Sequence, residues 1–163
     1  MRLYERLRGE RTTDAGIDFY KHISKVRKVA SSWLRGIEKN GIDHSRRLEG
    51  YLDNLIADEF KTRLKPAEIF ILLYAVYLHD IGYRNEKGEI DPRGHALRSS
   101  DYILKNPDIY LFDQFPRMKA GEAPLAAQAV AEVCYGHASI PESTDPIATI
   151  QNNFGDIYRM FQA

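Results

Sequence analysis

Between Ile69 and Leu78 every residue is aliphatic or aromatic, and the run stops on His79-Asp80. It is too short to cross a bilayer, which takes about 20 apolar residues as a helix. A buried strand or a buried helix could carry such a run. Pro66 at a first helical turn, Glu68 close behind it and the length of the segment favour the helix. A helix that is apolar all round must be covered all round, so it is predicted to be the central helix of the molecule. Its ending constrains more. An imidazole and a carboxylate at the end of a buried helix carry a large desolvation cost unless both are satisfied.

The remaining segments supply the cover. With 163 residues the chain suits one domain over 1–163, large enough to hold a core without cross-links. A first helix is predicted from Thr13 to Asn40, with Ile17, Tyr20, Ile23, Val26, Ala30, Trp33, Leu34 and Ile37 on one stripe and Asn40-Gly41 as the stop. A second starts at Asp43 as N-cap and turns Leu48, Tyr51, Leu52, Leu55 and Ile56 inward. After a polar loop from Gly82, another helix runs from Gly94 to Lys105, ended by Asn106-Pro107. The stretch from Pro107 to Pro124 is long for a plain connection and is expected to hold a short helix or a lid. Pro124 opens a helix that ends near Gly136-His137, and Phe154 to Phe161 begins to look helical again. No alternating segment resembles a strand. The fold class is all-α.

Four of the 5 histidines fall at helix ends on inward faces. His44 opens the second helix, His79 closes the central one beside Asp80, His95 opens the next and His137 closes the one after it. Taken singly, an inward histidine at a helix end is more often a cap or a core residue than a ligand. His22, between Tyr20 and Ile23, is assigned that structural role. The convergence of the three others, His44, His95 and His137, on His79-Asp80 favours a metal, which satisfies imidazole and carboxylate together.

His44 followed by Leu78-His79-Asp80-Ile81-Gly82 resembles the HD superfamily of metal-dependent phosphohydrolases, over roughly Gly41 to His137. That superfamily is helical and is named for its adjacent His-Asp pair. Its simpler members use an early His, the HD pair and a late Asp. Its two-metal members add histidines after the pair, in the order of His95 and His137 here. The resemblance implies that Asp80 bridges two ions, with His44 and His79 on one and His95 and His137 on the other, and that His79 and Asp80 are the catalytic core. Tyr83-Arg84 follows Ile-Gly where cyclic-dinucleotide phosphodiesterases usually have lysine. The glutamate-aspartate pair of the stringent-response hydrolases is also missing. The nearest likeness is to HD modules at the N-terminus of larger bacterial proteins. For a late Asp the chain offers Asp145, before a proline, and Asp156, early for the pattern. The sequence stops on the apolar face of Met160-Phe161, which reads as a domain cut short before its last ligand, with a further C-terminal domain expected.

A His and carboxylate donor set suits Mn, Fe, Co, Ni or Zn, with Mg possible, as one or two divalent ions. The expected chemistry is attack by a metal-activated water on a phosphoester or phosphoanhydride. The expected substrate is a phosphorylated small molecule of nucleotide type, held by Arg46, Arg47, Arg84 and Arg93, with Lys87 and Arg98 nearby. The alternative is a non-catalytic HD module that binds a nucleotide or a partner as a sensory domain. Equal totals of 23 basic and 23 acidic residues argue against a general nucleic-acid coat or a membrane-surface binder, leaving nucleic acid open as a substrate. The single cysteine, Cys134, fits a reducing, cytoplasmic setting and reads as core or as a neighbour of the ligands. There is no signal-peptide core, nucleophile elbow or glycine-rich phosphate loop.

Overall fold

A helix with no polar face has to be wrapped, and the central helix is. The computed structural model describes residues 2–12, 16–37, 41–117 and 119–137. Among these it forms α1 (Phe19–Trp33), α2 (Ile42–Leu55), α3 (Asp58–Arg63), α4 (Pro66–Leu78), α5 (His95–Lys105) and α6 (Leu125–Gly136). Short 3-10 turns cover Tyr4–Leu7 and Ile81–Tyr83. The described residues contain no strand, only isolated bridges between Arg11 and Asp18 and between Arg84 and Ile90. The protein is all-α, and none of these helices is long and apolar enough to cross a membrane.

Pro66 stands at the start of α4, and the Glu68 carboxylate accepts the Lys65 backbone N–H at 2.7 Å. From Ile69 to Gly82 only Leu72 escapes full burial. The N-terminal 3-10 turn, α1, α2 and α6 pack around α4, while α5 lies on α6 and on the turn that follows His79-Asp80.

The outer elements depart from expectation in instructive ways. Helix α1 starts at Phe19 because Asp18 caps it, its carboxylate accepting the Lys21 N–H at 2.9 Å. It stops after Trp33, ahead of Gly36 at φ +76°, so Gly36 rather than Asn40-Gly41 ends the run. Asp43 lies inside α2 and pairs with Arg46 instead of capping. Leu48, Leu52 and Ile56 pack against the core as expected, but the most buried residues of α2 are Ser45 and Glu49, whereas Tyr51 is 57% exposed and Leu55 is 80% exposed. The segment from Pro107 to Pro124 holds neither a helix nor a lid among its described residues. It is a chain of turns that drives Phe112 and Phe115 into the core, with Leu111 in the left-handed region at φ 64°. The predicted helix from Phe154 to Phe161 lies outside the described residues.

His22 is a core residue, as expected. It sits among Phe70, Tyr74 and Phe115, with Nε2 3.2 Å from the Tyr74 hydroxyl. The Tyr74 O–H donates to the Tyr110 carbonyl, so His22 donates to the Tyr74 oxygen. Burial, helped by Lys25, pushes the His22 pKa down to about 4. Unfolded, the imidazole titrates near 6.5. The unfolded chain therefore binds the extra proton first, and stability is lost as pH falls from about 6.5 to about 4. The loss approaches about 3 kcal/mol at about 1.4 kcal/mol per unit. In His22→Gln, which keeps a donor but does not titrate, urea melts at pH 7 and pH 4.5 are expected to differ by less than those of the wild type.

Candidate metal centre

The site is built where α4 runs out of apolar residues. His79 is the C-cap of α4 and Asp80 follows it, with side chains 9% and 3% exposed. Helix α2 brings His44, α5 brings His95 at its first residue, and α6 brings His137 at its C-cap. All four imidazoles turn Nε2 toward the one carboxylate. His79 lies at 3.0 Å and His44 at 3.7 Å from Asp80 Oδ2. His95 lies at 3.5 Å and His137 at 4.0 Å from Asp80 Oδ1.

The other ring nitrogens fix what these Nε2 atoms can be. His79 Nδ1 is 3.0 Å from the Val76 carbonyl and His95 Nδ1 is 2.7 Å from the Pro92 carbonyl. His137 Nδ1 meets the Cys134 carbonyl. A carbonyl only accepts, so each Nδ1 carries a hydrogen and, in a neutral ring, each Nε2 is a bare lone pair. Burial above all lowers the pKa of His44 and of His137, and the neighbouring imidazoles push the same way. The neutral, ligating forms are thus favoured. Two such lone pairs, His95 Nε2 and His137 Nε2, then face each other at 3.0 Å. Asp80 Oδ2, fully enclosed, has no hydrogen-bond partner. Without a cation this is repulsion upon repulsion. A cation between these atoms satisfies all of them, so the residues fit a metal.

Two overlapping ligand sets result, His44-His79-Asp80 and Asp80-His95-His137, the atoms of each within 4.8 Å of one another. Each set supplies three ligands and so leaves positions for water or substrate. The open side is toward His44 and His137, whose side chains are 34% and 30% exposed.

The HD-CE family model matches residues 38–158, well over half of the chain and all five of these residues. The chain belongs to the HD-CE family. The HD-CE match runs past His137, where the motif resemblance ended, and takes in Asp145 and Asp156, which lie outside the described residues. No curated protein and no solved structure matches the chain.

What holds the HD-CE turn in shape was only half visible in the motif. Gly82 packs so tightly on α5 that a Cβ there would lie 2.3 Å from the His95 carbonyl oxygen and 2.5 Å from the Ser99 nitrogen. Ser99, wholly buried, accepts the Gly82 N–H at 2.9 Å and donates to the His79 carbonyl at 2.6 Å. Its signal in the sequence was its place on the His95 face of α5, without any hint of this double role. Tyr83 lies against the His95 ring, centroids 4.3 Å apart.

The cations divide. Arg98 is spent on the loop, donating to the Gly82, Arg93 and Asp91 carbonyls and pairing with the Asp91 carboxylate. Arg84 donates to the carbonyls of Arg35, Gly36 and Gly88, tying the loop to the end of α1. Arg46 pairs with Asp43 at 3.2 Å, on a different flank of α2 from His44. Arg47 is exposed and close enough to lower the His44 pKa further. Arg93 and Lys87 are exposed on the loop before α5. Cys134 is fully buried, and burial first, then Asp80, pushes its thiol pKa well up.

Proposed function

We propose that this HD-CE chain is a metal-dependent phosphohydrolase of nucleotide-type phosphoesters or phosphoanhydrides. The supporting observation is the buried Asp80 carboxylate shared by two histidine pairs, its Oδ2 without a hydrogen bond and His95 Nε2 facing His137 Nε2 at 3.0 Å. His44, His79 and Asp80 would hold one divalent ion, and Asp80, His95 and His137 a second. Such ions acidify water and polarise a phosphoryl oxygen. The chain's own share is orientation. The Nδ1 contacts to the Val76, Pro92 and Cys134 carbonyls lock three ring planes, and burial of Asp80 excludes competing water from the floor of the site. No side-chain nucleophile is needed, and the buried, protonated Cys134 is unsuited to be one.

Substrate phosphates would enter from the His44 and His137 side. Arg47 and Arg93 are the cations best left free to meet them, while Arg84 and Arg98 are engaged by carbonyls. Arg93→Ala is expected to raise KM about tenfold, the effect of one charge-assisted hydrogen bond of about 1.5 kcal/mol, with metal content unchanged. Unchanged kinetics would remove Arg93 from the substrate site.

The test is metal analysis of untagged protein followed by a panel of nucleotides and p-nitrophenyl phosphoesters with Mn or Ni. Turnover in the wild type that is lost in Asp80→Asn supports the hydrolase. A fully loaded centre without turnover on any substrate would favour the sensory module instead.

A further inference from the structure

Glu49 is buried, yet it touches no ligand of the centre. Its Oε2 accepts the Tyr77 hydroxyl, its Oε1 lies 3.2 Å from Arg27 Nη2, and Arg27 Nε donates to the Tyr77 oxygen at 3.3 Å. The three side chains close a ring of two hydrogen bonds and an ion pair among α1, α2 and α4. The Arg27 guanidinium also rests on the Tyr4 ring at 4.3 Å and keeps contact with solvent through a side chain 37% exposed.

The position of this ring matters more than its strength. Glu49 lies on the same helix as His44, and Tyr77 lies two residues before His79 on α4. No other polar side-chain bond is seen between α2 and α4 among the described residues: Ser45 Oγ is buried without a partner, Leu48 and Leu52 make only apolar contact with the core, and Asp53 accepts from the Leu3 N–H of the N-terminal turn at 2.8 Å. A slide of α2 along α4 would carry His44 away from Asp80. It would leave His95 and His137 in place, because α5 and α6 pack on each other and not through α2.

We infer that Glu49, through Tyr77 and Arg27, is a positioning residue that sets the reach of His44 and so completes one of the two metal pockets but not the other. The inference rests on the metal centre described above and not on the identity of any substrate.

The experiment compares wild type, Glu49→Ala, Glu49→Gln and Tyr77→Phe, using Mn titration by calorimetry and the histidine side-chain ¹H–¹⁵N spectrum of metal-free protein. In Glu49→Ala one ion is expected to bind as in the wild type and the other about a hundredfold more weakly. Tyr77→Phe is expected to weaken that same ion about tenfold, both within the range seen when groups behind metal ligands are removed. Glu49→Gln, which still accepts from Tyr77, should recover part of the loss. In the metal-free spectra only the His44 peaks should move, while those of His95 and His137 stay. Equal weakening of both ions, or His44 peaks that stay in Glu49→Ala and Tyr77→Phe, overturns the inference. A wild type that binds no metal at all refutes the centre itself, and the spectra then still decide whether Glu49 sets His44.

Discussion

Asp80→Asn is expected to empty the centre of metal while leaving the metal-free protein at least as stable as the wild type. The first half follows from sharing: both ligand sets lose their one carboxylate, and four imidazoles remain without the anion that makes two ions tolerable. The second half follows from the orphaned Oδ2. A buried carboxylate whose Oδ2 has no hydrogen bond to offset its desolvation opposes folding until a cation arrives. Metal at a thousand times its Kd should stabilise the wild type by about 4 kcal/mol, and that gain should vanish in the variant. Melting curves with and without Mn or Ni measure both halves. A metal-free variant that melts far below the wild type would make Asp80 a structural residue and contradict this account.

Gly82→Ala is expected to be the most damaging single-atom change near the centre. All three atoms that the new Cβ would meet are backbone, His95 O at 2.3 Å, Ser99 N at 2.5 Å and Arg98 C at 2.9 Å, so no side chain can swing aside. Helix α5 must back away, breaking the Ser99 bridge to Gly82 and His79 and drawing His95 from Asp80. Overpacking of this kind costs about 3 kcal/mol, roughly a 10 °C loss in Tm for a domain this size. The ion on His95 and His137 should be lost first. Gly50→Ala is the control. It lies inside α2 with nothing within 4 Å of a new Cβ, and should hold or slightly raise stability. Equal behaviour of the two variants would show that the close approach at Gly82 is not needed.

The candidate ligands were legible because each sits where a helix begins or ends. The run from Ile69 to Leu78 forced burial, burial made His79-Asp80 costly, and the cost pointed to a cation. The face of α2 was legible in part. Leu48, Leu52 and Ile56 pack against the core as the periodicity marks, but the helix is turned so that His44 also reaches Asp80. Ser45 and Glu49 therefore turn inward while Tyr51 and Leu55 face water. The arginines were harder still. Sequence shows that a cation is near a loop but not whether carbonyls already hold it, and Arg84 and Arg98 are held. The lid expected after Pro107 failed because its aromatic residues, Phe112 and Phe115, are core residues that happen to lie on turns.

The hydroxyl of Ser99, shared between the His79 carbonyl and the Gly82 amide, also bears on how the site assembles during folding. It joins the end of α4 to the start of α5 through contacts close in sequence, which close a short loop and cost little chain entropy. His44 arrives from farther away and only when α2 docks, through the ring of Glu49, Tyr77 and Arg27. The Ser99-bridged turn and the docking of α2 are therefore expected to open separately. In native-state hydrogen exchange, the amide of Gly82 should outlast those at the start of α2, and opening of the site should begin at His44.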